Sequence, residues 1–181
     1  MRYWPALRRA FAASALVALA ACTGVDDDSS FAEQQELANI KPKNLVPLSS
    51  GRTLAKTFET FCLNGASSVE GRTAQLRAAG FVPTGGWRDG TRSFVIDTSE
   101  PMVRMSRDGR ACWVTARART GQDVEIRKRI ATWFPKATPV ATSDVTKTIW
   151  QTGRTSKEAI GITREARGRN ENTISVALVR S

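Results

Sequence analysis

"PMVRMSRDGRACWVTARA", residues 101–118, holds two β-like runs on either side of Arg107-Asp108-Gly109-Arg110. Asp-Gly between such runs is a strong short-range hairpin signal. Side chains alternate across a strand. In the second run Cys112, Val114 and Ala116 therefore share one face, with Trp113 on the other. An antiparallel hairpin with Cys112 facing a core is the expectation.

Working outward, "FVPTGGW" gives way at Asp89-Gly90 to "TRSFVID", a second strand-and-turn region. Upstream of it, Leu54, Phe58, Phe61 and Cys62 fall on one helical face, and Asn64-Gly65 stops that helix. Ser67 followed by Glu70 has capping-box spacing and opens a second helix to Ala79, with Val69, Thr73 and Leu76 inward and Gly80 past its end. These two helices predict a hairpin with Cys62 on its buried side. Downstream, Thr120 with Asp123 caps another helix, whose apolar face is Ile126, Ile130, Trp133 and Phe134, and Pro135 ends it. "TKTIWQT", "KEAIGITRE" and "TISVALVRS" read as three more strands, with Gly153 and "GRNEN" as turns. The sum is an α+β fold: an antiparallel sheet of about five to six strands, helices packed against it, and an N-terminal helical hairpin. This body spans 53–181 as a single domain. "GRT" at residues 51, 71 and 153 is too irregular in spacing to be a repeat.

The N-terminal third reads differently. Arg2, Arg8 and Arg9 precede an apolar run, Ala10 to Ala21, broken only by Ser14. Such a run is shorter than the roughly 20 residues a spanning helix needs, and a positive start with small residues at the end marks a secretory signal over 1–21. Residues 22–52 read as a tether: "TGVDDDSS" is polar and acidic, "KPKNLVPLSSG" is broken by Pro42 and Pro47, and between them the pattern allows a short helix through Phe31 to Ile40. A flexible chain of about 30 residues spans on the order of 30 Å.

Leu19-Ala20-Ala21-Cys22 resembles the lipobox of bacterial lipoproteins. The resemblance implies diacylglycerol on the Cys22 thiol, cleavage before Cys22, acylation of the new amino terminus, and so a membrane partner reached through a lipid anchor. Thr23, in place of the aspartate that retains such proteins at the inner membrane of enteric bacteria, favours the outer membrane. Arg8-Arg9-Ala10-Phe11 resembles the twin-arginine export motif without its flanking Ser and following Leu. In the body, Phe58-x-x-x-Cys62, Ala79-Gly80-Phe81 and Cys112-x-Val114 resemble uncharacterised lipoproteins of alphaproteobacteria, a likeness that implies no activity. If Cys22 is lipidated, Cys62 and Cys112 remain as an even pair in an oxidising compartment, which favours a disulfide over two buried thiols.

Composition narrows the function. The chain has no histidine, and its one tyrosine, Tyr3, lies in the signal. The commonest general base and metal ligand is thereby missing, and no Gly-rich phosphate loop or metal-ligand cluster occurs. Asp97 and Glu100 are the one compact carboxylate pair, in a turn; Ser156 and Lys157 are adjacent and point apart on a strand. No catalytic residue, metal or cofactor is assigned, and a His-independent glycan hydrolase is the weakest reading. Five acids and no base occupy residues 22–40, whereas 17 Arg and seven Lys follow from Lys41 on. Arg binds phosphate and carboxylate bidentately. In an envelope the nearest polyanions are lipid headgroups and wall or surface polymers. Trp87 in "TGGWRDGTR", beside Arg88 and Arg92, is the candidate ligand contact; the alternative is a Trp folded back over the sheet edge. The expectation is a lipid-anchored, non-catalytic envelope module, periplasm-facing or at the outer membrane. Its partner is an envelope protein or an anionic envelope polymer. The alternative is a surface polyanion binder for DNA or anionic glycan, although no nucleic-acid signature is present.

Overall fold

The hairpin of residues 102–117 proves to be the middle of a wide sheet. The computed structural model of the chain describes residues 28–166 and 171–181. The signal segment, Cys22, and part of the "GRNEN" turn lie outside them. β1 (Val82–Pro83), β2 (Thr91–Val95), β3 (Met102–Ser106) and β4 (Ala111–Arg117) form one meander. A second meander comprises β5 (Thr138–Val140), β6 (Lys147–Gln151), β7 (Glu158–Glu165) and β8 (Thr173–Arg180). The two join along β4 and β8 into one antiparallel sheet of order β1-β2-β3-β4-β8-β7-β6-β5. Eight strands replace the five to six expected. The surplus comes from the edges: β1 and β5 have two and three residues, and both carry a proline. Proline cannot donate to a ladder and is confined to such edges, and so short an element shows no period-two pattern.

One face of the sheet is dry. Val103, Met105, Val114, Ala116, Ile160, Ile162, Ile174, Val176 and Leu178 are buried there with residues of the helices. α3 (Gly51–Phe58) places Leu54, Ala55 and Phe58 in this core and continues through a π-helical turn, Glu59–Leu63. α4 (Val69–Ala78) buries Thr73 and Leu76, and α5 (Gln122–Trp133) buries Ile126 and Ile130. α3 lies against α5 and β4, while α4 meets the π-helical turn. Two helix starts differ from expectation. Ser68, not Ser67, caps α4, its hydroxyl accepting the Gly71 N–H at 3.0 Å. α5 is preceded by Gly121 at φ 86 with no side-chain cap. The signal there was Gln122, which is buried: its amide nitrogen donates to the Ser49 and Arg117 carbonyls and its oxygen accepts the Arg119 N–H.

Cys62, on the π-helical turn, and Cys112, on β4, form a disulfide with Cα atoms 5.4 Å apart. It fastens the helical layer to the centre of the sheet.

The chain expected to be a loose tether up to residue 52 is folded from Asp28 onward. α1 (Phe31–Asn39) begins with a full capping box between Ser30 and Glu33, and α2 (Pro42–Leu45) follows. Ile40 is buried against Val82, Val95 and Met102, with Leu37, Leu45 and Val46 alongside. Asn44 donates to Asp97 at 2.7 Å, the Ser49 hydroxyl to the Ser99 carbonyl, and the Arg117 N–H to Pro47 at 3.0 Å. These ties are all long-range, so nothing in the local pattern announces them. Among the described residues no helix is long and apolar enough to cross a membrane.

Arg72 is the anomaly. It sits on α4 at 0 % exposure, and none of its three guanidinium nitrogens has a hydrogen-bond partner. Burial pushes its pKa down, and the nearby Arg180 charge adds to the effect.

Two measurements test this packing. Loss of the bridge in Cys62→Ala/Cys112→Ala frees a loop closed over a separation of 50 residues, and the unfolding free energy in urea should fall by about 4 kcal/mol. Arg72→Met removes a buried charge that nothing repays, and the same titration at neutral pH should show a gain of about 1–3 kcal/mol. A comparable loss instead would mean that the guanidinium holds an ion or water.

Candidate functional site

Trp87 stands immediately before a tight turn. Arg88 and Thr91 exchange backbone hydrogen bonds of 2.9 and 2.8 Å around Asp89-Gly90, whose φ values are 49 and 69. Positive φ at both central positions is what a two-residue type I′ hairpin demands, and Asp-Gly supplies it. The indole is half-buried against the core, and the Arg107 guanidinium lies 5.6 Å from its ring centroid. Between this indole and α4 runs a groove of about 670 Å³ whose lining includes Asp28, Thr73, Arg77 and Arg107.

The three expected contact residues part company here. Arg88 is exposed at the turn. Arg92 is 3 % exposed on the dry face of β2. Its Nε donates to the Gly85 carbonyl at 3.1 Å, its guanidinium lies 5.5 Å from the Phe94 ring centroid, and it pairs with the Asp28 carboxylate. Arg92 thus holds the Gly-rich loop and the start of the folded chain together, and it is not part of the exposed surface. The period-two rule signalled this, since Arg92 shares a strand face with Phe94.

What replaces Arg92 is a set of bases from other turns. The β2, β3, β4, β8 and β7 termini at this end lie in register: the Arg107 N–H donates to Gly90, the Arg180 N–H to Arg110, and the Ser181 N–H to Lys157, each at 2.8 Å. Along this rim Arg88, Arg107, Arg110, Arg154, Lys157 and Lys136 are exposed. Asp28, Glu70, Asp89 and Asp108 are exposed acids at the same end. Asp108 serves its own turn, accepting from the Ser106 hydroxyl and the Arg110 N–H, and these bonds hold its carboxyl below the usual range. Glu158, also here, is buried and taken up by the Thr152 hydroxyl and the Arg180 Nε, both at 2.9 Å.

The opposite end of the sheet is mixed. Asp97, Asp144, Glu165 and Glu171 lie there with Lys41, Lys43, Arg117, Lys147 and Arg164. Lys147 and the Thr146 hydroxyl and N–H bond Asp144 and hold its pKa to about 2. The Asp97 and Glu100 carboxylates both have structural partners, Glu100 accepting from the Thr57 hydroxyl at 2.8 Å and Asp97 from Asn44. Each ties this turn to a helix. Among the described residues no three His, Cys, Asp or Glu side chains gather as metal ligands would.

The folded chain enters at the basic end. Asp28 pairs with Arg92, its carbonyl accepts from Arg77 at 3.2 Å, and Arg77 also grips both Glu33 oxygens at 2.6 and 3.2 Å. Burial raises the Glu33 pKa, but the Ser30 N–H, the Arg77 hydrogen bonds and the Arg77 charge together bring it below the ordinary 4.5.

The chain matches no known family model, no curated protein and no solved structure.

Because the Glu33 carboxylate is favoured in the folded chain, its contribution is complete above the ordinary pKa and is lost as pH falls through the lowered one. Hydrogen exchange of residues 30–40 should therefore quicken selectively as pH drops below about 4.5, after correction for intrinsic rates. Glu33→Gln should show the fast pattern already at neutral pH, with the β4 and β8 amides unchanged.

Proposed function

We propose that the chain is a lipid-anchored, non-catalytic module of the bacterial cell envelope, held by acyl groups on Cys22 and presenting a basic rim to an anionic partner. The observation that carries this reading is the Cys62–Cys112 disulfide in the core. Disulfides form and persist in oxidising compartments outside the cytoplasm, the destination that Leu19-Ala20-Ala21-Cys22 specifies behind its arginine-led apolar run. Two or more acyl chains at about 0.8 kcal/mol per buried CH₂ give stable attachment. Thr23 after the cysteine favours the outer membrane, with the domain facing the periplasm or the cell surface.

The basic rim supports a second reading, in which the same anchored domain binds a polymer such as DNA or an anionic glycan. Arg88, Arg107 and Arg110 are suited to phosphate and carboxylate alike.

The anchor is tested by the intact mass of the protein extracted from membranes without reductant. The expected mass is that of a chain starting at Cys22, carrying acyl groups and lacking two thiol hydrogens. Cys22→Ser should leave the protein unacylated and uncleaved at that bond. A soluble, unprocessed, reduced wild-type chain would overturn the reading.

A further inference from the structure

We propose that the rim bearing Arg88, Arg107, Arg110 and Lys157 rests on the anionic headgroups of the leaflet that holds the Cys22 acyl chains. The inference rests on the lipid-anchor reading and adds to it a partner surface and an orientation.

The length of the tether is the first argument. Asp28 is fixed by Arg92 and Arg77, and residues 23–27 lie between it and Cys22. A chain extends at most about 3.5 Å per residue, which limits the reach from Cys22 to Asp28 to about 20 Å. β8, eight residues long, spans about 27 Å at 3.4 Å each. Asp28 lies at the rim end, beside Trp87 and Arg107. A bilayer holding Cys22 is therefore within contact range of the rim, while the opposite end, with Asp97, Asp144 and Glu165, stands off.

Charge is the second argument, and it points the same way. The rim exposes Arg88, Arg107, Arg110, Arg154, Lys157 and Lys136 against Asp28, Glu70, Asp89 and Asp108, and so stays net basic. Each base brought to an anionic surface contributes about 1 kcal/mol, falling off within a Debye length of about 8–10 Å. Trp87 adds an aromatic at the same level, half-buried in the protein and backed by Arg107; tryptophan is enriched at headgroup depth. Entry point, charge and aromatic coincide at one end of the molecule.

The test separates this docking from the anchor. The chain from Cys22 onward, with Cys22→Ser so that no lipid is attached, is sedimented with vesicles of phosphatidylethanolamine containing about 30 % phosphatidylglycerol at low salt, where surface attraction is least screened. Arg88→Glu/Arg110→Glu/Lys157→Glu is compared with Lys43→Glu/Lys128→Glu/Arg164→Glu, which makes the same change in net charge away from the rim. All six positions are exposed, and melting curves confirm that both variants fold. The rim variant should lose at least about 30-fold in vesicle affinity, and the control less than about threefold. Equal losses would show that binding follows net charge without a docking face, and absence of wild-type binding would overturn the proposal as well. So would retention on sulfated-glycan beads with none on vesicles, which favours a polymer. The mass measurement above decides the anchor independently of all three.

Discussion

The pairing of β4 with β8 is the constraint on which the rest of the molecule depends. Seven consecutive residue pairs, Ala111↔Val179 through Arg117↔Thr173, join segments some sixty residues apart. Neither meander buries its apolar face alone. Joined, they offer one continuous surface from Met105 through Val114 and Val176 to Ile160, wide enough for α3 and α5 to lie side by side on it. The register also fixes which residues face out: Arg104 and Trp113, Ala177, Gly161 and Ile149 form a single row across the other side. A slip of one residue would exchange the two faces. The disulfide acts on this seam, since Cys112 pairs with Leu178 across it and its sulfur is bonded to the helical layer.

The seam also builds the rim. Antiparallel strands bring alternate turns to the same end, so the β3–β4 turn, the terminus of β8 and the β6–β7 turn lie together although they come from residues 107–110, 180–181 and 152–157. Their charges need no direct pairing with one another to act as a unit. A surface potential sums over all of them and over the exposed acids Asp28, Glu70, Asp89 and Asp108 at the same end, which leaves the rim net basic.

How much of this was legible in the sequence follows from how local each signal is. The Asp108-Gly109 hairpin, the alternation in β4, the buried face of α3 and the pairing of Cys62 with Cys112 all rest on spacing within a few residues or on counting. The helix from Phe31 was within reach of the local pattern, but the docking of residues 28–50 was not. Its ties run from Glu33 to Arg77, Asn44 to Asp97 and Ser49 to Ser99, each more than forty positions away, and proline punctuation made the segment look like a linker. β5 escaped for a related reason, as three exposed residues around Pro139 carry no periodicity. At the candidate site, the Gly-rich turn and its half-buried Trp87 were visible. The grouping of Arg88 with Arg110 and Lys157 was not, because it depends on the strand order. Arg92 could have been assigned inward from its parity with Phe94; the lure was its nearness in sequence to Trp87.

In the arrangement proposed above, acyl chains on Cys22 and the basic residues of the rim would do different work. With two or more chains, each buried CH₂ contributing about 0.8 kcal/mol, detachment is already negligible, so a few kilocalories from the rim change nothing about whether the protein stays on the membrane. They change how it stands there. A domain on a thirty-residue tether would sample every orientation, and a basic patch would only compete with that freedom. Here Arg92 and Arg77 seize the chain at Asp28, leaving residues 23–27 between Cys22 and the folded body. Most of the orientational entropy is then removed by the fold itself, and modest headgroup attraction suffices to select one pose. In that pose the strands stand roughly upright on the bilayer, the open row of Trp113, Ala177, Gly161 and Ile149 runs parallel to it, and the end around Asp97 and Asp144 points away from it. Under the proposed docking, the surfaces left for a protein partner are therefore the sheet face and the far end.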